Sequence, residues 1–422
     1  VGTISLYVIR QVYDGPYGKD FTMFLTGAHM LTDGQGSSLY DLDAQGRVQA
    51  PLKGPVIYPG GVLPFNYPPF MAAFLSPLTL LTPEIAYYAW LVVQFLVLLV
   101  LVLSIVRLGF GAYALPLVML FTFAPIIEAL LMGQLSLVLL LLWWWAFLSW
   151  RSGNWVALGV AVSLAAFKPQ MVVLLVVALV VQKMWRALAV AAGVQAFLWG
   201  AAVLFFGPGI LVSYLNILKL SGTTTGTLGF YPYAMPNLRG LLTALGAGPD
   251  LGLLLSLAAW VLSIGAVAWL WYERRSTDDG LDESTPIQDS KFQIQNSDLA
   301  LRFGVTAVLA VIFSPHLYIH DAALLMIAPL CLYVAALEKG KRVTVSDGEA
   351  LRVLHWLLVP FTALFVSIYL LVLRLVPSYT PLIISMLFCG GVMLYLLRQP
   401  ARRDAHPAQT SQFPGASDAR NT

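Results

Sequence analysis

Lys168 ends a long apolar run and is followed at once by Pro169. A lysine at the centre of a hydrocarbon layer costs roughly 2.5–3.5 kcal/mol, and less near a helix end where its stem lets the ammonium snorkel to the headgroups. Snorkelling lysines favour the cytoplasmic side, whereas Lys168 falls at a junction on the other side. That placement favours a pocket that binds an anion over a headgroup contact. His316 and His320 flank a short turn ending at Asp321. Four residues apart, they would share a helix face and could ligate a metal. Pro315 weakens helix at His316, so a hydrogen-bonding or phosphate-contacting histidine beside Asp321 is the better reading. Glu128, six residues before Gln134, lies in another apolar run, where structural pairing and a site role explain it equally well. Asp20 opens the stretch Asp-Phe-Thr-Met-Phe-Leu-Thr-Gly-Ala-His, where an aspartate is also a good N-cap.

The elements that carry these residues are set by composition. Of 422 residues 59% are hydrophobic and 11% charged, with a mean hydropathy of +0.79. A soluble domain carries roughly 25% charged residues, so lipid is the consistent solvent. The net charge of +3 is too small and too scattered for nucleic acid. Cys331 and Cys389 sit in apolar runs and read as buried hydrophobes rather than a disulfide framework or metal site. Candidate spans fall at 84–107, 112–131, 135–150, 154–168, 169–182, 186–206, 249–271, 301–314, 319–337, 351–373 and 381–397. The run 1–9 reads as the outer end of one more helix that starts before Val1. The expectation is an all-α polytopic membrane protein with about twelve transmembrane helices and interfacial helices in its first outer loop. Arg107, Arg151, Lys183/Arg186, Arg274/Arg275, Lys339/Lys341/Arg342 and Arg398/Arg402/Arg403 mark alternate ends, which makes those ends cytoplasmic.

This divides the chain into an N-terminal membrane region (1–272) and a C-terminal one (300–398). The first holds two outer loops, 10–83 and 207–249. A cytoplasmic linker (273–299) joins the two regions, and a disordered cytoplasmic tail (399–422) follows. The apolar residues Phe21, Phe24, Leu25 and Ala28 repeat at helical spacing and predict an amphipathic helix in the interface.

The ordered set of Asp20-Phe21, Leu39-Tyr40-Asp41, Asn66-Tyr67-Pro-Pro-Phe, Gly133-Gln134, Ala166-Phe167-Lys168-Pro169-Gln170 and Ser314-Pro315-His316…His320-Asp321 resembles glycosyltransferase family 87. The resemblance runs from about Asp20 to Leu337. It implies a fold of GT-C type and a hexose, with mannose first, moved from a polyprenyl-phosphate donor to a lipid or glycan acceptor. It implies a plasma-membrane protein with its active site on the non-cytoplasmic face, inverting chemistry, and no metal or other cofactor. Carried over by position, Asp20 becomes the catalytic base, which must remove a proton from the acceptor hydroxyl. Lys168, His320 and His316 become donor-phosphate ligands, because the departing phosphate gains charge. Asp41, Asn66, Tyr67, Glu128 and Gln134 line the substrate groove. No Asp-x-Asp motif with nucleotide-sugar context appears. The competing class is a polytopic transporter or flippase for a lipid-linked sugar. Transporters show matching halves with broken helices at mid-membrane, and no such halves are visible here.

Overall fold

The computed structural model describes residues 19–52, 62–108, 120–121, 123–225, 228, 230–232, 235–272, 296–340, 390–391 and 394–395. Among them the secondary structure is entirely helical. Helices α1 (Lys19–Thr32), α2 (Leu42–Leu52) and α3 (Pro69–Leu75) precede the first long helix, α4 (Pro83–Arg107). The shorter α5 (Ala124–Met132), α6 (Ser136–Arg151), α7 (Trp155–Ala165) and α8 (Pro169–Val181) follow. Then come α9 (Trp185–Phe206), α10 (Gly209–Thr223), α11 (Leu238–Ala244) and α12 (Pro249–Trp271). Helix α13 (Asn296–Ile312), a 3-10 segment (Ile319–Met326) and α14 (Ile327–Gly340) complete the described fold.

Three of these helices are long and apolar enough to cross a membrane: α4 with 25 residues, α9 with 22 and α12 with 23. They rise roughly 33–38 Å against a hydrocarbon core of about 30 Å. Their outer faces fit that solvent, with Leu204 80% and Phe205 76% exposed on α9 and Tyr88, Phe95, Leu254 and Leu262 bare on the other two. An apolar skin of this kind is stable only against lipid or another protein.

The expected GT-C arrangement of about twelve spans is therefore wrong for this structure. Hydropathy does not see the breaks inside the apolar runs. Gly133 leaves α5 at φ 68°, and Gly153 at φ 72° separates α6 from α7. Asn154 then caps α7 by accepting from the Ala157 N–H. Pro169 restarts the chain after Lys168, and Lys183 at φ 55° ends α8. The resulting pieces of 9 to 17 residues rise roughly 14–26 Å, short of a span. The Arg/Lys alternation counts every run as a span, so it does not carry through the whole chain either. The runs 1–9, 112–119, 351–373 and most of 381–397 lie outside the described residues, as do Cys389, the linker over 273–295 and the tail 399–422. Helix α13 begins at Asn296, inside the stretch read as linker.

The first loop also differs from expectation. Helix α1 is buried on every side from Phe21 to Ala28, including Thr22 and Thr26, so it is a core helix and not an amphipathic one lying in the interface. Its polar residues are satisfied locally: the Thr26 hydroxyl donates to Thr22 O, and Gln49 Nε2 donates to Thr26 Oγ1. The core runs from α1 through α6 and α8 to α13 and α14. Gly159 lets α7 and α9 approach closely, since a Cβ there would meet Ala187 O at 2.4 Å.

Candidate active site

Where α1, the α7–α8 break, α10, α11 and the Ile319–Met326 segment meet, they enclose a cavity of about 810 Å³. Most of the polar residues singled out in the sequence line it: Asp20, Asn66, Tyr67, Glu128, Gln134 and Lys168, with His316 and His320. Asp41 does not line it. That exposed carboxylate accepts from Ala44 N at 2.7 Å at the start of α2, so Asp41-Leu42-Asp43 opens a helix rather than a groove.

Asp20 lies in the first turn of α1, its side chain 23% exposed. Gln134 Nε2 donates to its Oδ2 at 2.6 Å, and Tyr67 donates to Gln134 Oε1 at 3.4 Å. The local sequence places Gln134 tightly. A left-handed Gly133 is needed to end α5, and a Cβ there would sit 2.8 Å from Phe21 Cβ, the neighbour of Asp20. Trp90 on α4 donates to Gly133 O at 2.8 Å and fixes the same turn from the other side. No Lys or Arg among the described residues lies within ion-pair distance of Asp20. The nearest imidazole nitrogen is His320 Nδ1 at 3.9 Å, too far for a hydrogen bond.

The loop carrying Asn66 and Tyr67 has no strand partner, and side chains supply what a ladder would. Gln45 Oε1 accepts from Phe65 N at 2.7 Å. Gln49 accepts from Leu63 N and donates to Leu63 O. Both glutamines are fully buried one helical turn apart on α2. Tyr40 donates to Tyr67 O at 2.7 Å, and Asn66 donates to Ser221 Oγ at 3.2 Å.

Lys168 occupies the N-cap of α8 just before Pro169 and is buried. Its ammonium is paired with Asp321 Oδ1, which also accepts from Ser136 Oγ at 2.7 Å. Burial alone would depress Lys168, but the charges of Asp321 and Tyr67 more than offset it and hold the ammonium above its ordinary range. Burial alone would likewise raise Asp321, yet Lys168 and His320 hold its carboxyl well below the usual carboxylate range. Sequence reasoning passed over Asp321 as a charge partner, and the separation of 153 positions from Lys168 hides the pairing.

Burial lowers both histidines, His316 to about 4, so each is a neutral ring at neutral pH. His316 precedes the 3-10 segment that holds His320, so the pair does not share one helix face. Burial and then the Asp20 charge push Glu128 up to about 7. Arg239, which the sequence reading missed, is also a wall residue, with 1% of its surface exposed.

The arrangement therefore joins a fixed carboxylate, neutral imidazoles and a buried ionic pair in one largely apolar cavity. No curated protein and no solved structure matches the chain. The model of glycosyltransferase family 87 matches residues 65–282, more than half the length. That stretch takes in Asn66, Tyr67, Glu128, Gln134, Lys168 and Arg239, while Asp20, Asp41, His316 and His320 fall outside it. With these wall residues and this share of its length inside the match, the chain belongs to glycosyltransferase family 87.

Proposed function

We propose that the chain transfers a hexose, with mannose the first candidate, from a polyprenyl-phosphate donor to a hydroxyl of a lipid or glycan acceptor, with inversion at the anomeric carbon. The observation that carries this reading is the state of Asp20: on the cavity wall, oriented by Gln134, and with no Lys or Arg within ion-pair distance among the described residues. A carboxylate in that condition can serve as a base. As the acceptor oxygen bonds to the anomeric carbon, Asp20 takes its proton. The bond from that carbon to the phosphate oxygen breaks, and its electron pair leaves on polyprenyl phosphate.

The phosphate then carries one more negative charge and needs donors that are already in place. His320 and His316, neutral through burial, fit as hydrogen-bond donors. Lys168 is already paired with Asp321, so its first task is to hold the Ile319–Met326 segment and thereby His320. Asn66, Tyr67, Gln134 and Glu128 shape the sugar and acceptor ends of the groove.

Charge at the ends of the three long helices supports a non-cytoplasmic site. Arg107 closes α4, Lys183 and Arg186 open α9, and Arg274 and Arg275 follow α12. The opposite ends carry Glu84 on α4, Gly207 after α9 and Asp250 on α12. Leu253, Leu257 and Trp260, which line the cavity, lie in the half of α12 that starts at Asp250. By the positive-inside rule that end faces away from the cytoplasm.

Purified protein incubated with a panel of polyprenyl-phosphate sugars and candidate acceptors tests the reading by mass analysis of products. A mannosylated acceptor with released polyprenyl phosphate supports it. Passage of the donor across vesicle membranes without any product would instead establish the flippase reading.

A further inference from the structure

The charge of Lys168 is taken up by Asp321, which leaves open what cation meets an anion in this cavity. Arg239 is nearly fully buried at 1% exposure and lines the cavity wall. No acidic side chain among the described residues pairs with it. Its Nη2 donates to Gly222 O at 2.9 Å and its Nη1 to Pro315 O at 3.4 Å. A guanidinium carries five N–H donors, and its Nε has no partner among the described residues. A buried cation held only by carbonyl oxygens is costly unless a counter-charge arrives.

The surroundings indicate what that counter-charge is attached to. Asn237 caps α11 by accepting from Gly240 N at 3.0 Å, and it donates to Ser314 O at 2.8 Å. This ties Arg239 to the loop that bears His316, whose buried Nδ1 also lacks a partner among the described residues. On the same wall, Leu253, Leu257 and Trp260 of α12 present one face of a membrane-length helix. Lys219 reaches the wall too, but from an exposed position. Arginine suits this place because its planar fork binds phosphate oxygens in pairs.

We infer that Arg239 is the cation that clamps the phosphate of a lipid-linked ligand, with His316 beside it and the hydrocarbon chain running along α12. This rests on the donor-site reading above and assigns the anionic contact to a residue other than Lys168.

The test is binding of undecaprenyl phosphate, undecaprenol and inorganic phosphate to detergent-purified full chain, read as concentration-dependent thermal stabilisation. The wild type binds the lipid phosphate more tightly than either fragment. Arg239→Gln weakens lipid phosphate by about 30-fold or more, while its melting without ligand and its response to undecaprenol stay those of wild type. Equal affinity of wild type and Arg239→Gln for undecaprenyl phosphate overturns the inference. Inorganic phosphate binding as tightly as the lipid form overturns the lipid assignment. Should Arg239→Gln not fold, Arg239→Lys decides, since it keeps a cation but loses the fork. A loss of about tenfold in Arg239→Lys supports the clamp, and wild-type affinity overturns it. A wild type that makes product while Arg239→Gln binds normally removes the clamp alone. Arg239-dependent binding without product in any acceptor removes the transfer reading and leaves the clamp.

Discussion

Asp20 and Asp321 both face His320, one 3.9 Å from its Nδ1 and the other 3.6 Å from its Nε2, yet their surroundings differ in kind. Asp321 is 5% exposed and takes an ammonium, a hydroxyl and a backbone N–H. Asp20 is 23% exposed and takes one neutral amide. A carboxylate engaged by a cation and two further donors is held ionised and is a poor base. One oriented by a single amide at a cavity wall retains the capacity to accept a proton. On the proposed reading the two aspartates on either side of one imidazole divide the work: one holds the 3-10 segment in place, the other is left for chemistry.

The largest effect that can test this division is on stability. Asp321→Ala leaves Lys168 buried without its partner and costs about 3–5 kcal/mol, lowering the thermal midpoint and abolishing transfer together. Replacing both partners by apolar residues of similar size, Lys168→Met with Asp321→Leu, restores much of that stability without restoring transfer, since the hydrogen-bonded seat of His320 is gone. A single Asp321→Ala that melts like wild type would erase the contrast between the two carboxylates. Next comes Gly133→Ala, strained both by its positive φ and by the contact with Phe21. It costs about 1–3 kcal/mol and lowers transfer by displacing Gln134 from Asp20. Unchanged turnover would show that Gln134 does not orient the base. The smallest effect is a pH dependence centred on Glu128. Below its raised pKa of about 7 it keeps its proton. Above that it adds a negative charge that opposes an anionic donor. The donor KM therefore rises a few-fold between about pH 6 and about pH 8 in the wild type and stays flat in Glu128→Gln. A KM that rises equally in both assigns the titration elsewhere.

How much of this was legible in the sequence follows from the range of each interaction. Helices α4, α9 and α12 were readable because local signals mark them: Pro83 and Pro249 at their starts, and 22 to 25 mostly apolar residues without a helix break. The shorter helices were misread as spans because hydropathy averages over Gly133, Gly153 and Lys183, whose backbone angles end helices. Lys168 was recognisable as out of place, but its partner is fixed only by tertiary packing. Gln45 and Gln49 drew no attention in the sequence. Only their four-residue spacing hinted that they would face one partner, the 62–67 loop. Arg239 sits in a seven-residue helix too short for a periodicity to mark it. The Asn237 cap followed by a basic residue and Gly240 was the one local cue.

The most direct test sets Asp20→Asn beside wild type in one preparation, measuring thermal midpoint, undecaprenyl-phosphate binding and sugar transfer together. Asparagine can still accept from Gln134, but it cannot take a proton. The account predicts an unchanged midpoint, unchanged binding, and transfer lower by roughly 10²–10⁴-fold. Transfer at near wild-type rate in Asp20→Asn would contradict it and move the search for the base to Glu128.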